Sequence, residues 1–176
     1  MPNLVYLSLG SNIEPEKNLV AALRLLSTHG QVLAVSHVWE TPPVGFLSQA
    51  NFLNAAALLQ TDEPAETLHA NVIRPIEHTL HRVRTPNPNA PRTIDLDLSL
   101  FNEAILVLPH HRIPDPDILT QAFVAIPLAE IAPAYHHPET GQTLAEIAAG
   151  FADAMEEMII REDVRLWELI DEGGDS

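Results

Sequence analysis

The segment Thr93-Ile94-Asp95-Leu96-Asp97-Leu98-Ser99-Leu100 alternates polar and apolar residues at every step. A period of two is the signature of a β-strand, since an extended backbone sends successive side chains to opposite faces. Ile94, Leu96, Leu98 and Leu100 would share one face, and Thr93, Asp95, Asp97 and Ser99 the other. The two carboxylates then stand about 6.5–7 Å apart at Cα and point the same way. Such a pair repels itself unless cations sit beside it. Hard oxygen ligands at this spacing suit Mg²⁺ held together with substrate phosphates. The alternative is an amphipathic strand with a solvated polar face.

The rest of the chain surrounds this strand with both kinds of element. Leu4 to Leu9 and Phe52 to Leu59 are apolar runs of strand length, and so is Val32 to Trp39, interrupted only by Ser36 and His37. Asn12 or Glu14 can cap a helix with Pro15 in its first turn, carrying Leu19, Ala22, Leu23 and Leu26 at helical spacing. From Pro64 a second helix is expected, with Leu68, Val72, Ile76, Leu80 and Val83 as its apolar stripe. Pro75 lies inside that stripe and should kink the helix or remove one hydrogen bond. Residues 85–91 hold three prolines and form a stiff loop. Pro114 to Asp117 starts a short helical turn, Val124 to Ile131 is strand or helix around Pro127, and Leu144 to Ala149 is helical. Interleaved strands and helices point to an α/β or α+β architecture in two layers. The expected division is a domain over 1–151 and an acidic C-terminal helical extension over 152–176, its apolar stripe packed back on the domain or joining a second copy.

Charge narrows the function. Nine Lys and Arg against twenty-four Asp and Glu give a net charge of -15, which opposes general nucleic-acid binding. There is no Cys, so disulfides and thiol catalysis are out. The first ten residues lack a signal-peptide pattern and no apolar run approaches the ~20 residues of a membrane span, so a cytoplasmic protein without membrane partners is expected. Yet four of eight Arg (Arg74, Arg82, Arg84, Arg92) fall within nineteen residues. Guanidiniums gathered beside a carboxylate pair suit a nucleoside triphosphate, and no Gly-x-x-x-x-Gly-Lys-Ser/Thr or Gly-x-Gly-x-x-Gly loop competes for that role.

A series of motifs now falls in order: Leu9-Gly10-Ser11-Asn12, Thr41-Pro42-Pro43-Val44-Gly45, Phe52-Leu53-Asn54, Glu77 before His81-Arg82-Val83-Arg84, Pro91-Arg92-Thr93-Ile94-Asp95-Leu96-Asp97-Leu98, Pro109-His110, and Pro127-Leu128-Ala129-Glu130-Ile131-Ala132-Pro133. From about residue 4 to 147 the chain resembles the 6-hydroxymethyl-7,8-dihydropterin pyrophosphokinases of folate biosynthesis. The resemblance implies an α+β, ferredoxin-like fold with helices on a mostly antiparallel sheet. It implies transfer of the β,γ-pyrophosphoryl group of ATP to the pterin hydroxymethyl oxygen, releasing AMP. Carried over, Asp95 and Asp97 hold two Mg²⁺ ions, and Arg82 and Arg92 act with them as the catalytic set. Arg82, Arg84, Arg92 and His110, or His111 in its place, hold ATP. Thr41, Pro42, Val44, Phe52, Asn54, Asp95 and Phe123 take the pterin. A monomer is favoured over a homodimer.

The chain also departs from that pattern. Residues 85–90 lack the cations, and the aromatic, that relatives often carry there. Ala90 and His81 stand where Gly is usual, and Gln121 where Arg is frequent. These departures imply weaker ATP binding, and they support the alternative of a non-catalytic pterin- or nucleotide-binding relative. A metal-dependent phosphohydrolase using the same carboxylates is a third reading. Glu77 is expected to be a structural partner of Arg82, and the scattered histidines lack metal-site spacing.

Overall fold

A computed structural model describes residues 1–44, 48–87 and 89–172 of the chain. Its centre is an antiparallel sheet of six strands. β1 (Asn3–Ser11) lies between β4 (Phe52–Thr61) and β5 (Asp95–Phe101). β2 (Gln31–Val35) and β3 (Trp39–Thr41) both pair with β4, and β8 (Ile159–Ile160) adds to the outer side of β3. The long apolar run at 32–39 is therefore two strands instead of one. Ser36 divides them: its hydroxyl donates to His37 O and accepts from Ala56 N–H at 2.8 Å, drawing ladder positions into side-chain bonds.

Consecutive residues of β1 and β4 are buried, and alternate ones build a core on each face. One face packs Val5, Leu7, Leu9, Leu53, Ala55, Ala57 and Leu59 against α1 (Pro15–Leu26) and the helical rod from Ala65 to Thr79. The other packs Tyr6 and Ala56 against α4 (Asp117–Thr120), α5 (Ala122–Ile131) and α6 (Leu144–Ala149). Helices thus lie on both faces, so the two expected layers become three over part of the sheet. α5 is apolar nearly all round, which suits a helix enclosed by sheet and α6 and explains why periodicity left 124–131 open between strand and helix.

The clean alternation of β5 does not survive to its end. A bulge shifts the register between Tyr6 and Leu7 of β1, so Leu7 faces Leu98 while Tyr6 faces Leu100. An extra residue inverts the side-chain sense beyond it. Ile94, Leu96 and Leu98 stay in the first core, and Leu100 crosses to the second. Residues 92–94 precede the strand, which begins at Asp95.

The rod after Pro64 meets Pro75 by local unwinding. α2 (Ala65–Leu68) passes into a π-helical turn at His69–Ile73 and then α3 (Arg74–Thr79), with Arg74 N–H bonding His69 O, five residues back. The wider turn accommodates a proline that lacks an N–H and crowds the preceding carbonyls. Val83 lies past the end of α3 and is 73% exposed, so it does not extend the apolar stripe. At α1, Glu14 occupies the N-cap in the left-handed region without a side-chain bond, and Asn12 is used elsewhere.

The hairpin β6 (Leu106–Leu108) and β7 (His111–Ile113) follows β5. The tail is not the expected helix: it forms a short α7 (Ala152–Met155), then β8, then α8 (Glu168–Glu172). Its apolar residues have separate tasks, with Val164 and Leu166 buried in the first core. Among the described residues no helix is long and apolar enough to cross a membrane.

His137 supports the segment before α6. Its ring is buried, and Nδ1 accepts from the backbone N–H groups of Glu139 and Thr140 at 3.2 and 3.3 Å. Burial depresses its pKa below the usual 6.5, against a smaller opposing effect of Glu139. A depressed histidine leaves the unfolded chain binding more protons, so stability falls as pH drops below about 6.5. Between pH 7.5 and 5.5 the urea midpoint of the wild type should fall further than that of His137→Asn, whose amide oxygen accepts the same two bonds without titrating.

Candidate active site

The sheet builds the site in one row. Gly10 of β1 pairs with Asn54 on β4 and with Asp95 on β5, so these three positions present the same face side by side. Ser8 and Asp97 form the next pair. This is the second face, whose other end is covered by α5; toward Asn54 and Asp95 it is open. Gly10 leaves room in that row: a Cβ there would lie 3.0 Å from Asn54 Oδ1, closer than an ordinary contact. Asn54 is buried and donates to Thr41 Oγ1 at 2.7 Å, which fixes the side-chain amide against the end of β3.

Two cavities meet at the carboxylate pair. The first, about 250 Å³, is lined by Gly10, Thr41, Pro42, Val44, Phe52, Asn54, Arg92, Asp95, Asp97 and Phe123, with Ser8, Asn89, Asp117 and Gln121 at its borders. The second, about 160 Å³, is lined by His69, Glu77, Arg82, Arg84, Asp95, Asp97, His110 and His111. Asp95 and Asp97 belong to both. Every residue expected to take the pterin lies on the first cavity. Of those expected to hold ATP, Arg82, Arg84 and His110 lie on the second, whereas Arg92 lies on the first. Gly45, the last residue of the expected 41–45 turn, is outside the described residues.

The two carboxylates have unlike surroundings. Asp95 Oδ1 accepts from Arg82 Nη1 at 2.8 Å and Oδ2 from Arg92 Nη1 at 3.1 Å. Arg82 Nη1 also donates to Glu77 Oε2 at 2.6 Å, and Arg84 Nη2 donates to both Glu77 oxygens at 3.3 and 3.1 Å. Glu77 is 4% exposed; burial raises its pKa, and the two guanidiniums oppose that shift. Asp97 is held well above the usual carboxylate range, first by burial and then by the charges of Asp95 and Asp115, with Arg82 opposing. Arg82 Nε is buried without an acceptor among the described residues.

Neutral amides tie the surrounding loops together. Asn12 Oδ1 accepts from Arg92 N–H at 2.9 Å, and Asn12 N–H donates to Arg92 O at 3.1 Å. Asn12 Nδ2 donates to Gln49 Oε1 at 2.7 Å and Ala50 O at 3.1 Å, and Gln49 Nε2 reaches Asn89 O at 2.5 Å. The sequence offered Asn12 or Glu14 as the helix cap, and Glu14 takes that place; Gln49 was given no role, since a loop-to-loop bond has no periodicity to show it. His69 was also missed, because its position depends on the π-helical turn. Its ring lies 6.1 Å from that of His110, and burial, then the charge of Arg74, depresses its pKa. His81 takes φ of 61°, the left-handed region that favours glycine, in agreement with the residue usual there.

With Glu77 so enclosed, Glu77→Gln should lower stability by about 1.5–3 kcal/mol, the range of a hydrogen bond to a charged group. Urea denaturation measures this, and a loss below about 0.5 kcal/mol, the range of ordinary surface changes, would assign the ion pairs no structural weight.

The model of the 7,8-dihydro-6-hydroxymethylpterin-pyrophosphokinase (HPPK) family matches residues 6–133. The 2-amino-4-hydroxy-6-hydroxymethyldihydropteridine pyrophosphokinase of Pseudomonas aeruginosa is 39% identical over 151 residues, covering 82% of this chain and 90% of the relative. The protein of the same name from Bacillus subtilis is 41% identical over 135 residues, covering 74% and 79%. Among solved structures, a Plasmodium falciparum HPPK-DHPS triple mutant with pteroate superposes with a TM-score of 0.71 at 14% identity. That match covers 91% of this chain and 47% of the other, so the chain spans about half of that protein and the likeness concerns the fold alone.

Proposed function

The chain belongs to the 7,8-dihydro-6-hydroxymethylpterin-pyrophosphokinase family, and we propose that its two cavities divide the substrates of that reaction, with Asp95 and Asp97 at the point of transfer. The reaction moves the pyrophosphoryl group of ATP to the hydroxymethyl group of 6-hydroxymethyl-7,8-dihydropterin. The observation that carries the assignment is that both cavities are lined by the same two carboxylates.

The first cavity suits the pterin. A flat heterocycle needs apolar faces and polar partners at its rim. Phe52 and Phe123 supply apolar walls, and Asn54 keeps both amide donor and acceptor capacity beside its bond to Thr41. The second cavity suits the triphosphate. Arg82 has a buried Nε donor to spare, Arg84 is half exposed, and His110 makes no hydrogen bond among the described residues. His111 is less available, because its Nε2 is engaged with Leu98 O. These features favour His110 for the nucleotide.

The donor set also fits Mg²⁺. Among the described residues no group of three or more His, Asp or Glu could hold a metal ion by itself. Two carboxylates, with phosphate oxygens completing the shell, is the usual arrangement for Mg²⁺. Asp95 and Asp97 would hold two such ions, and each Asp95 oxygen keeps a second lone pair beside its guanidinium bond. When bound, the ions supply Lewis-acid polarisation of the phosphoryl group and lower the pKa of the attacking hydroxyl. Arg82 and Arg92 orient Asp95 from opposite sides and offer positive charge to the transferring group. Orientation of the hydroxymethyl oxygen toward the shared carboxylates falls to Asn54 and the cavity walls. A monomeric, cytoplasmic enzyme completes the reading.

The test is to incubate the protein with Mg-ATP and the hydroxymethyl pterin and identify the adenine product. Pterin-dependent AMP supports the reading; ADP, or ATP loss without pterin, would replace it with a hydrolase. Pterin binding without turnover would make the protein a binding relative. Asp97→Asn should lower kcat by about 10³-fold, several kcal/mol of charge stabilisation, with an unchanged urea midpoint or a higher one. Gly10→Ala, which presses a methyl group onto Asn54 Oδ1, should weaken pterin binding about tenfold or more, as an overpacked contact of about 1–3 kcal/mol does, and leave ATP binding within about twofold.

A further inference from the structure

The chain beyond residue 150 returns to the sheet edge that carries the first cavity. Ile159 and Ile160 pair with Glu40 and Trp39 of β3, and Arg161 N–H donates to Val38 O at 2.8 Å. β3 is three residues long and runs directly into Thr41 and Pro42 of the cavity wall. Without β8 its outer side would be an unpaired edge.

Arg161 fastens this pairing with its side chain. Nη1 donates to Glu40 Oε1 at 3.0 Å, and Nη2 to Glu16 Oε1 on α1 at 3.1 Å. Nε and Nη2 also grip the two oxygens of Asp163 at 2.9 and 2.8 Å. One guanidinium thus joins β3, α1 and the tail in a fork that an ammonium group cannot reproduce. Further on, the Trp167 ring meets His37 edge-on at 5.6 Å. From the other side, Glu130 of α5 accepts from Trp39 Nε1 at 2.5 Å and bonds the His37 ring at 2.8 Å. β3 is therefore held between α5 and the tail. Among the described residues no tail residue lines either cavity, and β3 is the element that both pairs with the tail and carries a cavity wall. It also lies beyond residues 6–133 matched by the family model.

We infer that Arg161 is a positioning residue for the pterin: it locks the tail onto β3 and thereby sets the Thr41 and Pro42 wall of the first cavity. This rests on the assignment of that cavity to the pterin. None of the residues that Arg161 bonds lines the triphosphate cavity, so its affinity should depend far less on Arg161.

Full-length wild type, Arg161→Gln and Arg161→Lys decide the matter through kcat, the two KM values and amide hydrogen exchange. Arg161→Gln should raise the pterin KM about five- to tenfold, with kcat and the ATP KM within about twofold. Arg161→Lys, which keeps the charge but not the fork, should fall between. Exchange at 38–44 should quicken in Arg161→Gln while exchange at 95–98 stays unchanged. Equal loss in kcat and both KM values would overturn the inference, since general destabilisation gives that pattern; so would an unaltered pterin KM. If the wild type forms no AMP, the reaction assignment fails, and the clasp is then judged by exchange at 38–44 and by titrating the same pterin against its own fluorescence. Weaker binding with faster exchange in Arg161→Gln supports the clasp, and equal binding sinks it. Should Arg161→Gln fold poorly, Glu40→Gln keeps Arg161 paired to Asp163 and Glu16 and is read in the same way.

Discussion

Asp95 is where the charges of the site are reconciled. Its two oxygens take one guanidinium each, from Arg82 and Arg92, and Glu77 balances Arg82 and Arg84 behind them. With Asp97 this makes three guanidiniums and three carboxylates, a balanced set within a chain of net charge -15. The balance is local and uneven. Asp95 is flanked by cations, whereas the part-buried Asp97 has its pKa raised by desolvation and by the charges of Asp95 and Asp115. A polyphosphate drawn into the neighbouring cavity would bring negative charge of its own. Divalent cations between the carboxylates and the phosphates reverse that repulsion, which is why an acidic protein can carry a triphosphate site.

The same sheet face serves as core and as site. Tyr6, Ala56 and Leu100 bury one end of it under α5 and α6. Two residues along, Ser8, Gly10, Asn54, Asp95 and Asp97 present polar groups or open space. The bulge at the junction lets Leu100 reach the second core while Leu96 and Leu98 remain in the first. Ser99, enclosed at the bulge, bonds Ser8 at 2.6 Å and receives Asp115 N–H on its carbonyl. The bulge thus positions Asp115, which together with Asp95 raises the pKa of Asp97.

Elements with sustained periodicity were legible in the sequence. β1, β4, β5 and α1 follow directly from their apolar patterns, and the carboxylate pair is visible in the alternation of 93–100. The residues expected to take the pterin came from the order of motifs, and they line one cavity. What escaped depended on pairings between distant segments. Ser36 and His37 interrupt the apolar run of 32–39 in the sequence, but only the bond of Ser36 to the partner strand shows that the strand divides there. The tail has a stripe that imitates a helix, but its Ile, Val and Leu residues are divided between an edge strand and the first core. Neither the Asn12–Gln49 bond nor the Arg161 fork leaves any local trace.

The loop of residues 85–90 sharpens how such a site works with few cations. Guanidiniums in a mobile loop would supply charge, but each must be ordered before it helps, which takes side-chain and backbone entropy. Here the loop has proline in place of charge, and neutral amides tie it down. Gln49 holds Asn89, Asn12 holds Gln49, and Asn12 holds the backbone of Arg92 from both sides. Arg92 therefore meets Asp95 from a backbone already fixed. These bonds join no ionised partners, so salt screening weakens them little. The site exchanges the number of its cations for the fixed placement of those it has, and preorganisation of this kind lowers the ordering needed on binding.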